Sequence, residues 1–141
     1  MSDPFITEFR ATAGHVSAFA GKHLLLLTVT GRRSGHPRTT PLLYLPDGDA
    51  FVVFGLNGGA PADPVWVSNL LASDHATIEV GQHTLSVTSE RVDGTDAEHL
   101  WRRQVDLVPE FTEFRARTTR SIPILRLTPT APEPRPREGR L

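Results

Sequence analysis

The segment His23–Leu56, HLLLLTVTGRRSGHPRTTPLLYLPDGDAFVVFGL, decides the fold. It opens with a continuous apolar run over 23–30, which is long enough for one buried strand. After a glycine-bounded turn, apolar and β-branched residues resume over 38–45 and predict a second strand. Pro41 cannot donate a hydrogen bond to a sheet ladder, so it predicts an edge position or a bulge within that strand.

The PDGD sequence at 46–49 is typical of a hairpin turn. A third strand is predicted directly after it, over 50–56. Together with the two strands before the turn, it completes an antiparallel three-stranded meander.

A helix start is predicted after a loop rich in glycine and proline, NGGAPADP, at 57–64. Asp63 followed by Pro64 is the expected order of a helix cap and a first helical residue. The helix is expected to extend to residue 72. It places Trp66 and Asn69 one turn apart on the same face.

The remaining periodicities predict further strands and helices around this meander. The predicted strands lie over 76–80, 84–92 and 122–127, and the predicted helical segments lie within 3–20 and over 109–119. A further helix is predicted from a Thr95–Glu98 capping box to Val108. Its inward residues are expected to be Leu100, Trp101 and Val105. About six mostly antiparallel strands with two to four short helices indicate an α+β fold built on a small barrel.

The 141 residues predict one folded domain between two terminal segments. We expect a helical segment over 1–22 packed on the barrel, the barrel domain over 23–128, and a disordered tail rich in proline and arginine over 129–141. The sequence contains no cysteine, which excludes disulfides, thiolate metal sites and cysteine nucleophiles. The lack of a long apolar run and of an apolar signal core leads us to expect a soluble, cytoplasmic protein.

The net charge of −1 gives no general attraction to nucleic acid, but the charges are unevenly placed. No acidic residue occurs between Glu8 and Asp47, whereas five basic residues do. Three of these five residues are arginines within the sequence TGRRSGHPR at 30–38, where two glycines allow a turn with converging N–H groups and a serine adds a hydroxyl. This composition fits a site for a phosphate or a carboxylated tail, and equally an ordinary polar hairpin loop with solvated arginines.

Common catalytic constellations are missing from the sequence. There is no GxSxG elbow, no phosphate loop ending in GK[ST] and no HExxH motif. The six histidines are scattered without ligand-like spacing, so we expect no metal site.

Three motifs in combination resemble the deazaflavin-dependent nitroreductase family, small split-β-barrel proteins that bind coenzyme F-420. They are TGRRSGHPRTTPL at 30–42, NGGAPADPVWVSNL at 57–70 and PEFTEFRARTTRSIP at 109–123. The resemblance extends from about Leu24 to Leu127. It implies a split-barrel fold and an oxidoreductase that uses reduced F-420 as a diffusing hydride donor.

The resemblance also implies a set of site residues. The arginine-rich turn would hold the phosphate and acidic tail of the cofactor, the next strand would cover the deazaflavin ring, and the glycine loop with its helix would complete the ring site. These positions are Arg32, Arg33, Ser34 and Arg38 for the anion; Pro41 and Leu43 for the ring; Leu56, Asn57, Gly58, Trp66 and Asn69 for the rest of the ring site; and Phe111 and Phe114 for the substrate pocket.

Two departures from the family pattern modify the expected activity. Relatives often carry lysine where Asn57 stands, and tyrosines where Phe111 and Phe114 stand. Phenylalanine keeps an apolar wall but cannot donate a proton, so we expect a planar apolar acceptor such as a quinone, an enone or a polycyclic aromatic. Tyr44, the only tyrosine, is expected to face away from the site, and solvent is the preferred proton source.

Two other functions remain open at this point. One is a split-barrel oxidoreductase that binds FMN, although three arginines exceed what a single phosphate requires. The other is a relative without activity that binds a small aromatic or lipid-like ligand. We expect the N-terminal helix to cover one end of the barrel rather than to contact a membrane, and an exposed sheet edge is compatible with a homodimer.

Overall fold

The computed structural model describes residues 3–130, and this part of the chain forms one antiparallel sheet with four α-helices and two short 3-10 turns. The strands are β1 (Leu24–Thr30), β2 (Pro37–Leu43), β3 (Leu45–Asp47), β4 (Ala50–Phe54), β5 (His75–Val80), β6 (His83–Arg91) and β7 (Ile124–Pro129). The helices are α1 (Pro4–Ala11), α2 (Val65–Ser73), α3 (Gly94–Leu107) and α4 (Glu110–Ala116), and the 3-10 turns are Ser17–Phe19 and Asn57–Gly59. The predicted α+β class is confirmed.

The sheet order β2-β1-β5-β6-β7-β4-β3 explains why seven strands replace the expected six. The predicted second strand pairs with β1 as far as Leu43 and with β4 from Leu45 onward, so it divides at Tyr44. The two ends of the sheet are therefore consecutive pieces of chain, and the sheet curls into a barrel. The expected edge position of Pro41 is confirmed, because β2 is an end strand.

The first strand is buried on both faces, which accounts for its continuous apolar sequence. Leu25 and Leu27 belong to the main core inside the barrel, whereas Leu24 and Leu26 pack against Phe9 of α1. Phe9 is only 1% exposed. The Arg10 guanidinium donates two hydrogen bonds, of 3.0 and 2.8 Å, to the Glu79 carboxylate of β5 and fastens α1 to the sheet.

Both predicted helix caps are wrong. Pro64 occupies the N-cap position of α2, and the Asp63 carboxylate instead lies 2.6 Å from Arg120. The third helix begins at Gly94, which places Thr95 inside the helix, where its side chain cannot act as the cap. At α2 a distant partner, Arg120, takes the carboxylate that the local signal assigns to the cap.

The end of the sheet and one core position also differ from the prediction. The last strand begins at Ile124 and reaches Pro129, which pairs with Val87. Residues 131–141 of the predicted tail lie outside the described part of the chain.

Gln104 of α3 is 1% exposed between predicted inward positions, and its side-chain oxygen and nitrogen have no hydrogen-bond partner among residues 3–130. No helix in this part of the chain is long and apolar enough to cross a membrane.

Asp47 ties the β3–β4 hairpin to α3 and β7. Hydrogen bonds from Arg103 (3.0 Å) and from Arg126 (3.1 Å) hold the pKa of the Asp47 carboxyl below its usual range. Because this pKa is lower in the folded state than in the unfolded chain, the ionised carboxylate stabilises the fold at pH values above the unfolded pKa of about 3.9. That stabilisation is lost as the pH falls further.

We therefore expect Asp47→Asn to lower the free energy of unfolding at neutral pH by about 1 kcal/mol, typical of a partly exposed charge-assisted bond. Urea unfolding below pH 4 should show the difference between variant and wild type shrinking. Asp49→Asn, at an exposed position of the same turn, is the matched control and should leave the stability unchanged. An equal loss in Asp47→Asn at every pH would contradict this account.

Candidate functional site

The turn after β1 is folded tightly around its glycines. A Cβ atom at Gly31 would lie 2.7 Å from Ser34 Oγ and 3.2 Å from Arg38 Nε, so only glycine lets these side chains approach the backbone. Gly35 has φ +74°, in the left-handed region that favours glycine. The turn thus brings the Ser34 hydroxyl and the Arg38 guanidinium to one point.

The backbone N–H groups of this turn, which were expected to converge, are partly occupied within the chain. The Gly31 N–H donates to His36 O at 2.8 Å, and the Gly35 N–H donates to Gly31 O at 2.9 Å. The Arg32 N–H donates to Asn69 Oδ1 at 3.0 Å. These three N–H groups therefore already have partners within the chain.

The arginine side chains line a cavity of about 390 Å³ at the surface. Arg32, Arg33 and Arg38 are exposed, and none of the three forms a salt bridge with an acidic side chain of residues 3–130. Ser34 Oγ accepts the His36 N–H at 3.1 Å and keeps its proton for donation. This part of the site, the arginine cavity, therefore presents three uncompensated positive charges.

Sequence reasoning missed part of the lining of the arginine cavity. The additional lining residues are Gly31, Asp63, Val65 and Ser68. Asn69 also lies here, at the arginines, and not at the ring site that the resemblance implied for it. Asn69 is 3% exposed, and its Oδ1 orients the turn through Arg32.

A second cavity of about 310 Å³, the apolar cavity, lies between β2, the loop after β4 and α4. It is lined by the expected residues Pro41, Leu43, Leu56, Asn57, Trp66, Phe111 and Phe114, and by Phe19, Leu24, Thr40, Leu42, Phe54 and Pro64, which sequence reasoning missed. Gly58 is the middle residue of the 3-10 turn beside it. Both cavities fall in the usual size range of ligand pockets, roughly 300–1,000 Å³.

The two cavities adjoin across the start of α2. Asp63 and Val65 line the arginine cavity, whereas Pro64 and Trp66 line the apolar cavity. Trp66 is both a core residue and a wall of the cavity, since it is 6% exposed and packs in the main core. One ligand with an anionic tail and a flat apolar ring matches this arrangement.

An aromatic cluster forms the far wall of the apolar cavity. Phe111 contacts Phe54, with ring centroids 5.9 Å apart, and Phe114, at 6.5 Å. Among the lining residues, polar side chains are limited to Thr40 and Asn57, and the Asn57 Nδ2 donates to Ala62 O at 3.0 Å. The wall of the cavity is therefore mostly apolar and offers few proton donors.

Tyr44 lies away from both cavities, as predicted. Its ring contacts His23, with centroids 5.4 Å apart, and Phe51, at 5.2 Å. Partial burial raises the pKa of the Tyr44 hydroxyl above its usual value. In the described part of the chain, no group of three or more histidine, aspartate or glutamate side chains is placed to hold a metal ion.

Comparison with known proteins finds similar sequences and similar solved structures. An F420H(2)-dependent quinone reductase of Mycobacterium tuberculosis (strain H37Rv) is 37% identical over 107 residues, which are 74% of this chain and 72% of that protein. The structure of an F420-H2 dependent reductase is 28% identical with a TM-score of 0.68, and covers 74% of this chain and 92% of that one. A structure described as a domain-swapped dimer is 26% identical with a TM-score of 0.70, over 86% and 93% of the two chains.

The curled antiparallel sheet and its helices are the split-barrel fold of the F-420-dependent reductases. Within that class, the chain belongs to the F420H(2)-dependent quinone reductase family, whose model matches residues 5–129. The family resemblance inferred from the three motifs is confirmed. A homodimer of this chain stays a prediction.

Proposed function

We propose that this protein binds reduced coenzyme F-420 and passes a hydride from it to a planar apolar acceptor such as a quinone. The observation that supports this most is the adjacency of three unpaired arginines to an apolar cavity across the start of α2. In this proposal Arg32, Arg33, Arg38 and Ser34 hold the phosphate and acidic tail. The ring lies among Pro41, Leu43, Leu56 and Trp66.

The bound deazaflavin supplies the hydride, and the chain supplies orientation and a cavity poor in water. Arg38 beside Ser34 fixes the charged end, which limits the positions that a ring attached to it can take. Trp66 offers a rigid flat surface for the ring, because its side chain is packed in the core. Phe54 and Phe111 give the acceptor an apolar wall to pack against.

The acceptor class follows from what the cavity lacks. Phe111 and Phe114 provide apolar contact and no hydroxyl group, so reduction of a nitro group receives no proton from this wall. A quinone or enone requires one hydride and one proton for two-electron reduction, and solvent at the open side can supply the proton. The 310 Å³ cavity has room for a flat acceptor of modest size.

The proposal is tested by titrating the purified protein with F-420 while recording the deazaflavin fluorescence, followed by turnover with a panel of acceptors. We expect micromolar binding and faster reduction of quinones than of nitroaromatics. A protein that instead purifies yellow with bound FMN would overturn the cofactor assignment. Binding without turnover of any acceptor would identify a ligand-binding relative.

Phe114→Tyr tests the acceptor class within the same assay. Phe114 is half-buried in the cavity wall, so a tyrosine there can present a hydroxyl to the acceptor. We expect nitroaromatic reduction to rise by about 100-fold, at the low end of typical general-acid effects, with quinone reduction little changed. Equal rates of nitro reduction in wild type and variant would contradict the proposal that the missing hydroxyl group of this wall limits nitro reduction.

A further inference from the structure

The loop between β4 and α2 is held by the side chain of one arginine that is distant in the sequence. Arg120, between α4 and β7, donates from Nε to Ala60 O and from Nη1 to Gly55 O, each at 3.0 Å. Its Nη2 donates to Leu56 O at 2.8 Å, and Nη1 also donates to Asp63 Oδ1 at 2.6 Å. The guanidinium therefore donates most of its N–H groups to this loop, and the side chain of Arg120 is only 15% exposed.

The carbonyl groups that Arg120 binds shape the apolar cavity. Leu56 lines that cavity directly, and the three bound carbonyls bracket Asn57, another lining residue. Asn57 adopts the left-handed conformation, with φ +51°, which asparagine tolerates better than most residues other than glycine. Without the guanidinium, three loop carbonyls lose a charge-assisted donor in a largely buried place.

The carboxylate that Arg120 binds belongs to the other cavity. Asp63 is the one acidic residue among the described lining of the arginine cavity. An uncompensated carboxylate there would repel the phosphate and tail carboxylates that the three arginines attract. The 2.6 Å contact with Arg120 offsets that charge.

We propose that Arg120 is a positioning residue with two separable effects on the cofactor: it keeps the loop over 55–63 in the shape that receives the ring, and it neutralises Asp63 beside the anionic tail. The inference rests on the proposed function, since both effects are defined for F-420. They differ in their dependence on ligand charge. A neutral deazaflavin that lacks the phosphate and tail reports the first effect alone.

Arg120→Gln should weaken binding of both ligands by at least ~10-fold, as expected for the loss of charge-assisted bonds, and should weaken F-420 more than the neutral deazaflavin. Adding Asp63→Asn to Arg120→Gln removes the exposed carboxylate. The double variant should recover at least ~3-fold in F-420 affinity, the size of a screened like-charge repulsion, and nothing for the neutral deazaflavin. A purely structural role for Arg120 would not produce this ligand-dependent recovery.

Asp63→Asn alone keeps the experiment decisive even when Arg120→Gln fails to fold. It leaves Arg120 uncompensated beside the arginine cavity, so F-420 should bind more tightly and with a steeper dependence on salt. Arg120→Lys retains the charge but lacks the planar fork, and should lose affinity for the neutral deazaflavin. The control Arg10→Gln removes an ion-paired arginine that lines neither cavity and should change neither affinity.

The outcomes separate this inference from the proposed function. A wild-type protein that binds no F-420 refutes the proposed function and the inference with it. Normal wild-type binding together with unchanged affinities in folded Arg120→Gln overturns the inference alone. Equal recovery for both ligands in the double variant refutes the electrostatic effect of Asp63.

Discussion

Gly59→Ala should destabilise the protein by about 3 kcal/mol or more and abolish F-420 binding, the largest effect we expect from a single methyl group. Gly59 ends the 3-10 turn beside the apolar cavity with φ +83°. A Cβ atom there would collide with the carbonyl oxygen of Phe114 and lie 2.9 Å from Arg117 Cβ. The turn cannot move away from α4 without breaking the Arg120 bonds to the same loop.

Gly48→Ala is the matched control, because Gly48 has φ +60° in the β3–β4 turn but has open space around its Cα. It should cost only the ~1 kcal/mol of the left-handed conformation. Urea unfolding followed by circular dichroism gives both values, and fluorescence titration gives the binding. Similar losses of stability in the two variants would contradict the close packing of the loop on α4.

Replacing Arg32, Arg33 and Arg38 together by glutamine should weaken F-420 binding by more than ~1,000-fold. Each charge-assisted contact contributes about 1.5–3 kcal/mol, so Arg38→Ala alone should cost about 10- to 150-fold. Wild-type affinity should fall with added salt, whereas the residual affinity of the triple variant should hardly respond. The neutral deazaflavin without the tail should bind wild type and triple variant alike.

The control for this experiment is the triple variant Arg10→Gln, Arg91→Gln and Arg102→Gln, which changes the net charge equally without touching the arginine cavity. It should retain F-420 affinity within about threefold, because distant surface charges are screened. If both triple variants lose affinity equally, the general charge of the protein and not the turn after β1 is responsible.

Local signals in the sequence predicted those parts of the fold that local forces determine. The apolar run predicts β1, the PDGD sequence predicts a tight turn, and the missing N–H of Pro41 predicts an edge position. Each of these predictions depends on local sequence alone. The division of the second strand at Tyr44 could not be read in this way, since it depends on which strand lies beside each half. The burial of Gln104 was missed because glutamine is usually exposed.

The candidate site follows the same rule. The arginine side chains of the turn and the aromatic wall at Phe111 were predicted from residue type and motif. The partner of the Arg32 N–H is Asn69, at a sequence separation of 37, and the partner of Asp63 is Arg120, at a separation of 57. Such distant partners occupy donors and charges that the local pattern leaves available: Asn69 occupies one turn donor, and Arg120 occupies the predicted cap.

The packing of α1 on β1 decides where this protein can be shortened. A chain that starts at His23 would keep every strand, yet it would lose the cover of Leu24 and Leu26 that Phe9 provides. It would also remove Phe19 from the apolar cavity. For protein engineering, a shortened chain should therefore retain α1 and the segment that carries Phe19.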